Sequence, residues 1–231
     1  MEARLTAIER GEVLRYLRIR GEAAGELDGE LSRLEARLLE TARPRLVWRV
    51  FALLPDGSLD GCAYTPGGED IRKLLRESGQ VVLFAATLGA EAEALQRRAQ
   101  SRSMREALLL DALGNAAIEN VCDNFCADLA AAVAPRCLTE RFSPGYGDLP
   151  LEDQRAFFQA LDVTRRIGVT LTESLLMLPQ KSVTALLGIA ERPQPRRGGC
   201  GECDKRESCV YKRGRCSVMC GFGGVQSGAS L

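Results

Sequence analysis

Five of the chain's nine cysteines fall within 21 residues, at Cys200, Cys203, Cys209, Cys216 and Cys220. Their spacing, C-x2-C-x5-C-x6-C-x3-C, opens on a Cys-x-x-Cys pair and exceeds what the packing of small apolar side chains requires. Four thiolates suffice for a tetrahedral zinc or an iron–sulfur cluster. Thiolate-only ligation does not choose between the two, and free thiols in an unstructured tail are the plain alternative. Cys62, Cys122, Cys126 and Cys137 are scattered and read as core residues, although Cys122 and Cys126 share a helix face. A second set of residues suits an organic ligand: Arg141-Phe142-Ser143-Pro144-Gly145-Tyr146. The planar fork of Arg141 can take a carboxylate in two hydrogen bonds. Gly145 lets backbone come close to a ligand, Pro144 stiffens the turn, and Tyr146 offers a ring and a hydroxyl. Glu119 stands on a helical pattern with Asn115 four residues before it and Asp123 four after, which makes one polar stripe. The plain readings of these last two features are an ordinary surface turn and a solvated helix face.

One absence narrows the chemistry: the chain has no histidine. A Ser-His-Asp or Cys-His site cannot be built, nor a histidine zinc site, so any catalysis must draw on a bound cofactor or a substrate held elsewhere. Lysine plus arginine equals aspartate plus glutamate at 31 each, which gives no electrostatic reason to expect nucleic acid or an anionic membrane as partner. No apolar run is long enough to span a bilayer, and the N-terminus lacks the apolar core of a secretory signal. The expected location is the cytoplasm, where cysteines are thiols or metal ligands rather than disulfides.

The elements that must position these residues follow from the apolar pattern. With 45% hydrophobic and 27% charged residues, a packed core is expected. Residues 7–20 and 27–42 read as helices, and 45–54 as a strand closed by the turn Pro55-Asp56-Gly57-Ser58. A short helix at 69–78 precedes the near-continuous apolar run 81–88, a strand buried on both faces. Helical residues resume at Ala90, and 103–133 reads as a long helix with a candidate kink at Gly114. Residues 137–142 read as a strand, 151–161 as a helix and 182–189 as a final strand. The uneven order of types favours an α+β fold with a mostly antiparallel sheet. At Arg192 a linker of prolines, glycines and arginines begins, which divides the chain into a domain over 1–191 and a cysteine-rich tail over 192–231.

Three segments, in order over roughly residues 105–190, resemble the activation domain of cobalamin-dependent methionine synthase. Arg141-Phe142-Ser143-Pro144-Gly145-Tyr146 is similar to that family's Arg-Pro-Ala-Pro-Gly-Tyr loop. Thr172-Glu173-Ser174 through Pro179, followed by Ser182-Val183, is similar to its Thr-Glu-Ser…Pro…Ser-Val-Ser run. The long helix carries Ala112-Leu113 with Glu119 six residues beyond Leu113, at a spacing ahead of the arginine loop that also resembles the family's.

The resemblance implies an S-adenosylmethionine-binding reactivation subunit. Such a subunit supports the reductive methylation of cob(II)alamin to methylcobalamin on a methionine synthase that lacks its own activation domain. The cobalamin would be carried by that partner, and the electron would come from a donor such as flavodoxin or ferredoxin. The resemblance makes Glu119, Arg141, Ser143, Gly145 and Tyr146 the ligand-binding positions. It also marks a departure: where the family has a tyrosine after the Ser-Val-Ser run, this chain has Leu187, which can pack on adenosine but cannot hydrogen-bond it. Gly147 stands where many members continue with proline. On this reading the five tail cysteines would hold a 4Fe–4S cluster delivering the electron locally, with zinc as the non-redox alternative. A reading of another class is a metal-bearing docking adaptor for a corrinoid protein that no longer binds S-adenosylmethionine.

Overall fold

The computed structural model describes residues 1–19 and 22–193. Helices α1 (Arg10–Leu17), α2 (Glu22–Glu26) and α3 (Asp28–Thr41) lead into strand β1 (Arg45–Ala52), then α4 (Glu69–Leu75) and β2 (Ser78–Thr87). Helix α5 (Ala90–Gln100) and the 30-residue α6 (Met104–Val133) follow, then the two-residue strand β3 (Cys137–Leu138). A 3-10 turn at Leu151–Asp153 opens α7 (Gln154–Leu161). The described chain ends through α8 (Val163–Ile167), the short hairpin β4 (Thr170–Leu171) and β5 (Met177–Leu178), and β6 (Ser182–Ala190). The fold is α+β, as the pattern predicts.

The main sheet has the order β1-β2-β6-β3, with each neighbouring pair antiparallel. Its two central strands are buried along most of their length. Val82, Phe84 and Ala86 of β2, with Ala185, Leu187 and Ile189 of β6, face a core built with α3, α5 and α6. Val81, Leu83 and Ala85, with Leu186, face the opposite way into a core built with α4, α7 and α8. A strand covered on both faces is apolar along most of its length, so the alternation expected of a half-exposed strand is missing here; Thr87, Ser182 and Thr184 are the buried polar exceptions. The edge strand β1 is only partly covered on both faces: Leu46, Trp48 and Val50 are half-buried toward α6, while on the other face Val47 and Phe51 are buried and Arg45 and Arg49 are exposed.

Three local expectations are corrected. Helix α6 runs unbroken through Gly114. The glycine makes room instead: a Cβ there would meet the Lys181 side chain at 3.0 Å. Lys181 Nζ crosses that surface to donate to Asp111 Oδ1 at 2.7 Å and Asn115 Oδ1 at 2.6 Å, fastening the start of β6 to α6. The strand expected over 137–142 is a ladder only at Cys137 and Leu138. It touches β6 again where Thr139 N donates to Gly188 O at 2.9 Å and where Phe142 bridges Leu186. The first helix begins at Arg10 and stops at Leu17, because Arg18 takes a left-handed conformation with φ of 58°. Among the described residues no helix is long and apolar enough to cross a membrane.

Gly188 of β6 leaves room for side chains of both β2 and α4. A Cβ at that position would fall 2.2 Å from Ser78 Oγ and 2.9 Å from Leu75 Cδ2. Gly188→Ala is therefore expected to destabilise the fold by about 1–3 kcal/mol, the usual result of overpacking a filled core. Urea denaturation followed by far-UV circular dichroism checks this, and an unchanged midpoint would show that the contact relaxes freely.

Candidate functional site

The polar stripe of α6 and the arginine loop meet at the β3 edge of the sheet. Past Leu138 the chain alternates sides. Phe142 packs into the core with α4 and α7, while Arg141 turns toward α6. Its Nη2 donates to Glu119 Oε2 at 2.9 Å and to Asp123 Oδ1 at 2.8 Å. Glu119 and Asp123 are one helical turn apart on the same face, which is the spacing that lets two carboxylates converge on one cation. The Arg141 side chain is 15% exposed, against 30% for Glu119 and 46% for Asp123. The guanidinium is thus the buried member and the carboxylates are its route to solvent.

Electrostatics follow from that burial. Desolvation works against the charge on Arg141, and the carboxylates of Glu119 and Asp123 beside it oppose that and keep the guanidinium protonated. Burial also pushes the Cys122 thiol up, and Cys126 up to about 12, so both stay neutral near pH 7 and the two carboxylates carry the compensating charge. The Asp123 carboxyl is raised by burial, which Arg141 opposes and Glu119 reinforces.

The segment after Arg141 is a compact loop. Tyr146 N donates to Ser143 O at 3.2 Å, Gly145 N to Leu149 O at 2.9 Å and Leu149 N to Tyr146 O at 3.0 Å. Gly145 has φ of +90°, and a Cβ there would press on Leu151 Cδ1 at 3.2 Å, so glycine is needed for the turn. Gly147 has φ of +51°, which proline cannot adopt, and this accounts for the departure at that position. Next to it, Asp148 accepts from the first backbone N–H groups of α4, Glu69 N and Asp70 N, and pins the loop to the opposite layer. Ser143 is half-buried and Tyr146 is 47% exposed, a ring open to solvent beside the turn.

Residues 76–213 match the family model for the vitamin B12-dependent methionine synthase activation domain, more than half of the chain. The chain belongs to this family. Among solved structures it is similar to the MetH reactivation domain bound to AdoHcy, at 17% identity and a TM-score of 0.57, over 84% of this chain and 79% of that one. At that identity the likeness shows the fold. No curated protein matches.

Within this activation domain, Arg141 and Glu119 are brought together, and the loop carrying Ser143, Gly145 and Tyr146 continues directly from Arg141. Leu187 is corrected. It has no exposed surface and packs in the core under α6, so it offers nothing for a ligand to touch. Its leucine is the residue that a position inside an apolar layer requires. Asp123, visible in the sequence only as part of the stripe, is a direct partner of Arg141. The approach of α1 to the same cluster carries no local sequence signal: Glu9 and Glu12 both bear on the Asp123 charge from a segment more than 100 residues away. Cys200, Cys203, Cys209, Cys216 and Cys220 lie outside the described residues. Among the described residues no group of three His, Cys, Asp or Glu side chains is placed to hold a metal.

Removing Arg141 leaves two carboxylates facing each other without their cation. Arg141→Ala is expected to cost about 2 kcal/mol at pH 7, the range for charged hydrogen bonds with partly exposed partners. The cost should shrink as pH falls through the carboxylate range, because protonating Asp123, whose carboxyl burial already raises, then relieves the repulsion. Denaturation midpoints at pH 7 and pH 4.5 measure it, and an equal loss at both would contradict the ion-pair account.

Proposed function

We propose that this protein binds S-adenosylmethionine at the Arg141 cluster and supports reactivation of a cobalamin-dependent methionine synthase. The observation that carries the reading is a buried guanidinium sharing one nitrogen between two carboxylates, at the start of a glycine-turned loop, in a member of the activation-domain family. The methionyl part of the ligand has a carboxylate and an ammonium. Arg141 suits the carboxylate, which would take the place of Asp123, the more exposed of its two partners. Glu119, left beside the guanidinium, suits the ammonium. The edge backbone at Ser143 and Gly145 and the ring of Tyr146 suit the adenosine. The AdoHcy named with the similar solved structure supports this ligand class.

No general base is needed on this chain, which fits a sequence without histidine. When bound, S-adenosylmethionine would supply the methyl group, and a flavodoxin- or ferredoxin-type donor the electron, for the partner's cobalt. The domain's own contribution is to hold the sulfonium in line with the cobalt and to keep the two reactants together. The tail cysteines add a narrower proposal, a 4Fe–4S cluster on the docking module, supported by their spacing alone.

Calorimetric titration with S-adenosylmethionine tests the ligand reading. The native chain should bind, and Arg141→Ala, shown folded by circular dichroism, should bind about 10–100-fold more weakly. Equal affinity in the two proteins would remove Arg141 from the site. Chain purified without oxygen should contain iron and sulfide with broad visible absorption, and Cys200→Ser with Cys203→Ser should lose both. Stoichiometric zinc, or no metal, would contradict the cluster.

A further inference from the structure

Tyr146 is carried between two glycines in left-handed conformations, Gly145 at φ of +90° and Gly147 at φ of +51°. Glycine is the least restricted residue of the backbone, so both sides of Tyr146 can turn unless something holds them. The ring itself is exposed, and packing alone does not fix it. Three hydrogen bonds shape the loop from within: Tyr146 N to Ser143 O, Gly145 N to Leu149 O and Leu149 N to Tyr146 O. Buried Leu149 sets its depth in the layer of α4 and α7. Among the described residues, the hydrogen bonds from residues 143–149 to another element are all made by Asp148.

Those bonds replace a cap that α4 lacks. The N-cap position of α4 is Gly68, which has no side chain to accept from the first free N–H groups of the helix. The loop supplies the acceptor instead: Asp148 Oδ2 accepts from Glu69 N, and Asp148 Oδ1 accepts from Asp70 N at 3.2 Å. The fit is reciprocal. A Cβ on Gly68 would run into Asp148 Oδ1, and a Cβ on Gly147 would fall 2.6 Å from Asp70 Oδ2, so each aspartate is seated against the other segment's glycine. Helix α4 in turn rests on β6, where Leu75 closes on Gly188. Arg141 is referred to the same strand, because Phe142 N donates to Leu186 O at 2.9 Å and Leu186 N to Phe142 O at 2.8 Å.

Resting on the S-adenosylmethionine reading above, we propose that Asp148 is a positioning residue: by capping α4 it fixes the span between Arg141 and Tyr146. A ligand that must meet Arg141 with its carboxylate and Tyr146 with its adenosine is bound only as tightly as that span is kept. Asp148 touches no part of the ligand and acts through Tyr146. What the cap needs is an acceptor rather than a charge, since asparagine caps a helix about as well as aspartate. The Asp148 side chain is exposed, so its loss leaves the two layers assembled.

The test is a double-mutant cycle read by calorimetric titration of the full chain with S-adenosylmethionine. Asp148→Ala should weaken binding about fivefold, the scale of one lost cap. Asp148→Asn should restore it to within about twofold of the native protein. In a Tyr146→Ala background there is no ring left to place, and adding Asp148→Ala should change the affinity by less than about twofold. Native affinity in Asp148→Ala, an Asp148→Asn protein as weak as Asp148→Ala, or the same fivefold loss repeated in the Tyr146→Ala background would each overturn the assignment. Failure of the folded native chain to bind S-adenosylmethionine would instead overturn the reading on which it rests.

Discussion

A guanidinium that stays charged while 15% exposed has to be compensated where it sits, and Arg141 is compensated by two carboxylates of a single helix. That requirement links parts of the chain that share no sequence motif. Helix α6 must cross the sheet in a register that points Glu119 and Asp123 at the edge strand rather than into the core. The chain after β3 must turn Arg141 toward α6 while Phe142 enters the other layer. The N-terminal segment must then lie along α6 without displacing the pair, and it does so by pairing with Asn120, Asn124 and Asp128, the adjacent row.

The rest of the architecture holds that geometry still. Strands β2 and β6 are covered on both faces, so α6 on one side and α4, α7 and α8 on the other are locked to a common reference. Lys181 ties the start of β6 to α6 through Asp111 and Asn115, and Asp148 ties the loop after Arg141 to the start of α4. The loop therefore has two anchors, one in each layer. Its glycines at 145 and 147 supply the positive φ values that let it turn between them.

Much of this was legible in the residues. The near-continuous apolar run 81–88 reads as a buried strand, because such a segment has almost no polar face to expose, and 182–189 reads as the final strand. The long helix was marked by thirty residues without proline, and the ordered motifs carried the family. What escaped was what depends on distance in space. Leu187 was read as a ligand contact from its place after Ser182-Val183, but it points into the layer beneath α6, where only packing matters. Gly114 suggested a kink, and its purpose is to leave room for Lys181. The strand at 137–142 was overextended, because the sequence does not show that only Cys137 and Leu138 pair in full with β6.

On the proposed reading, this member of the methionine synthase activation family receives S-adenosylmethionine at its buried arginine, held by α6, for a cobalamin enzyme. The direct measurement is reactivation itself. A cobalamin-dependent methionine synthase truncated before its activation domain is poised in the inactive cob(II)alamin state and mixed with this protein, S-adenosylmethionine and a reduced flavodoxin. The visible spectrum then reports the cobalt. The account predicts conversion to methylcobalamin that requires both this protein and S-adenosylmethionine and is lost with Arg141→Ala. A spectrum that stays cob(II)alamin with the native protein present, or that changes equally without it, would contradict the account.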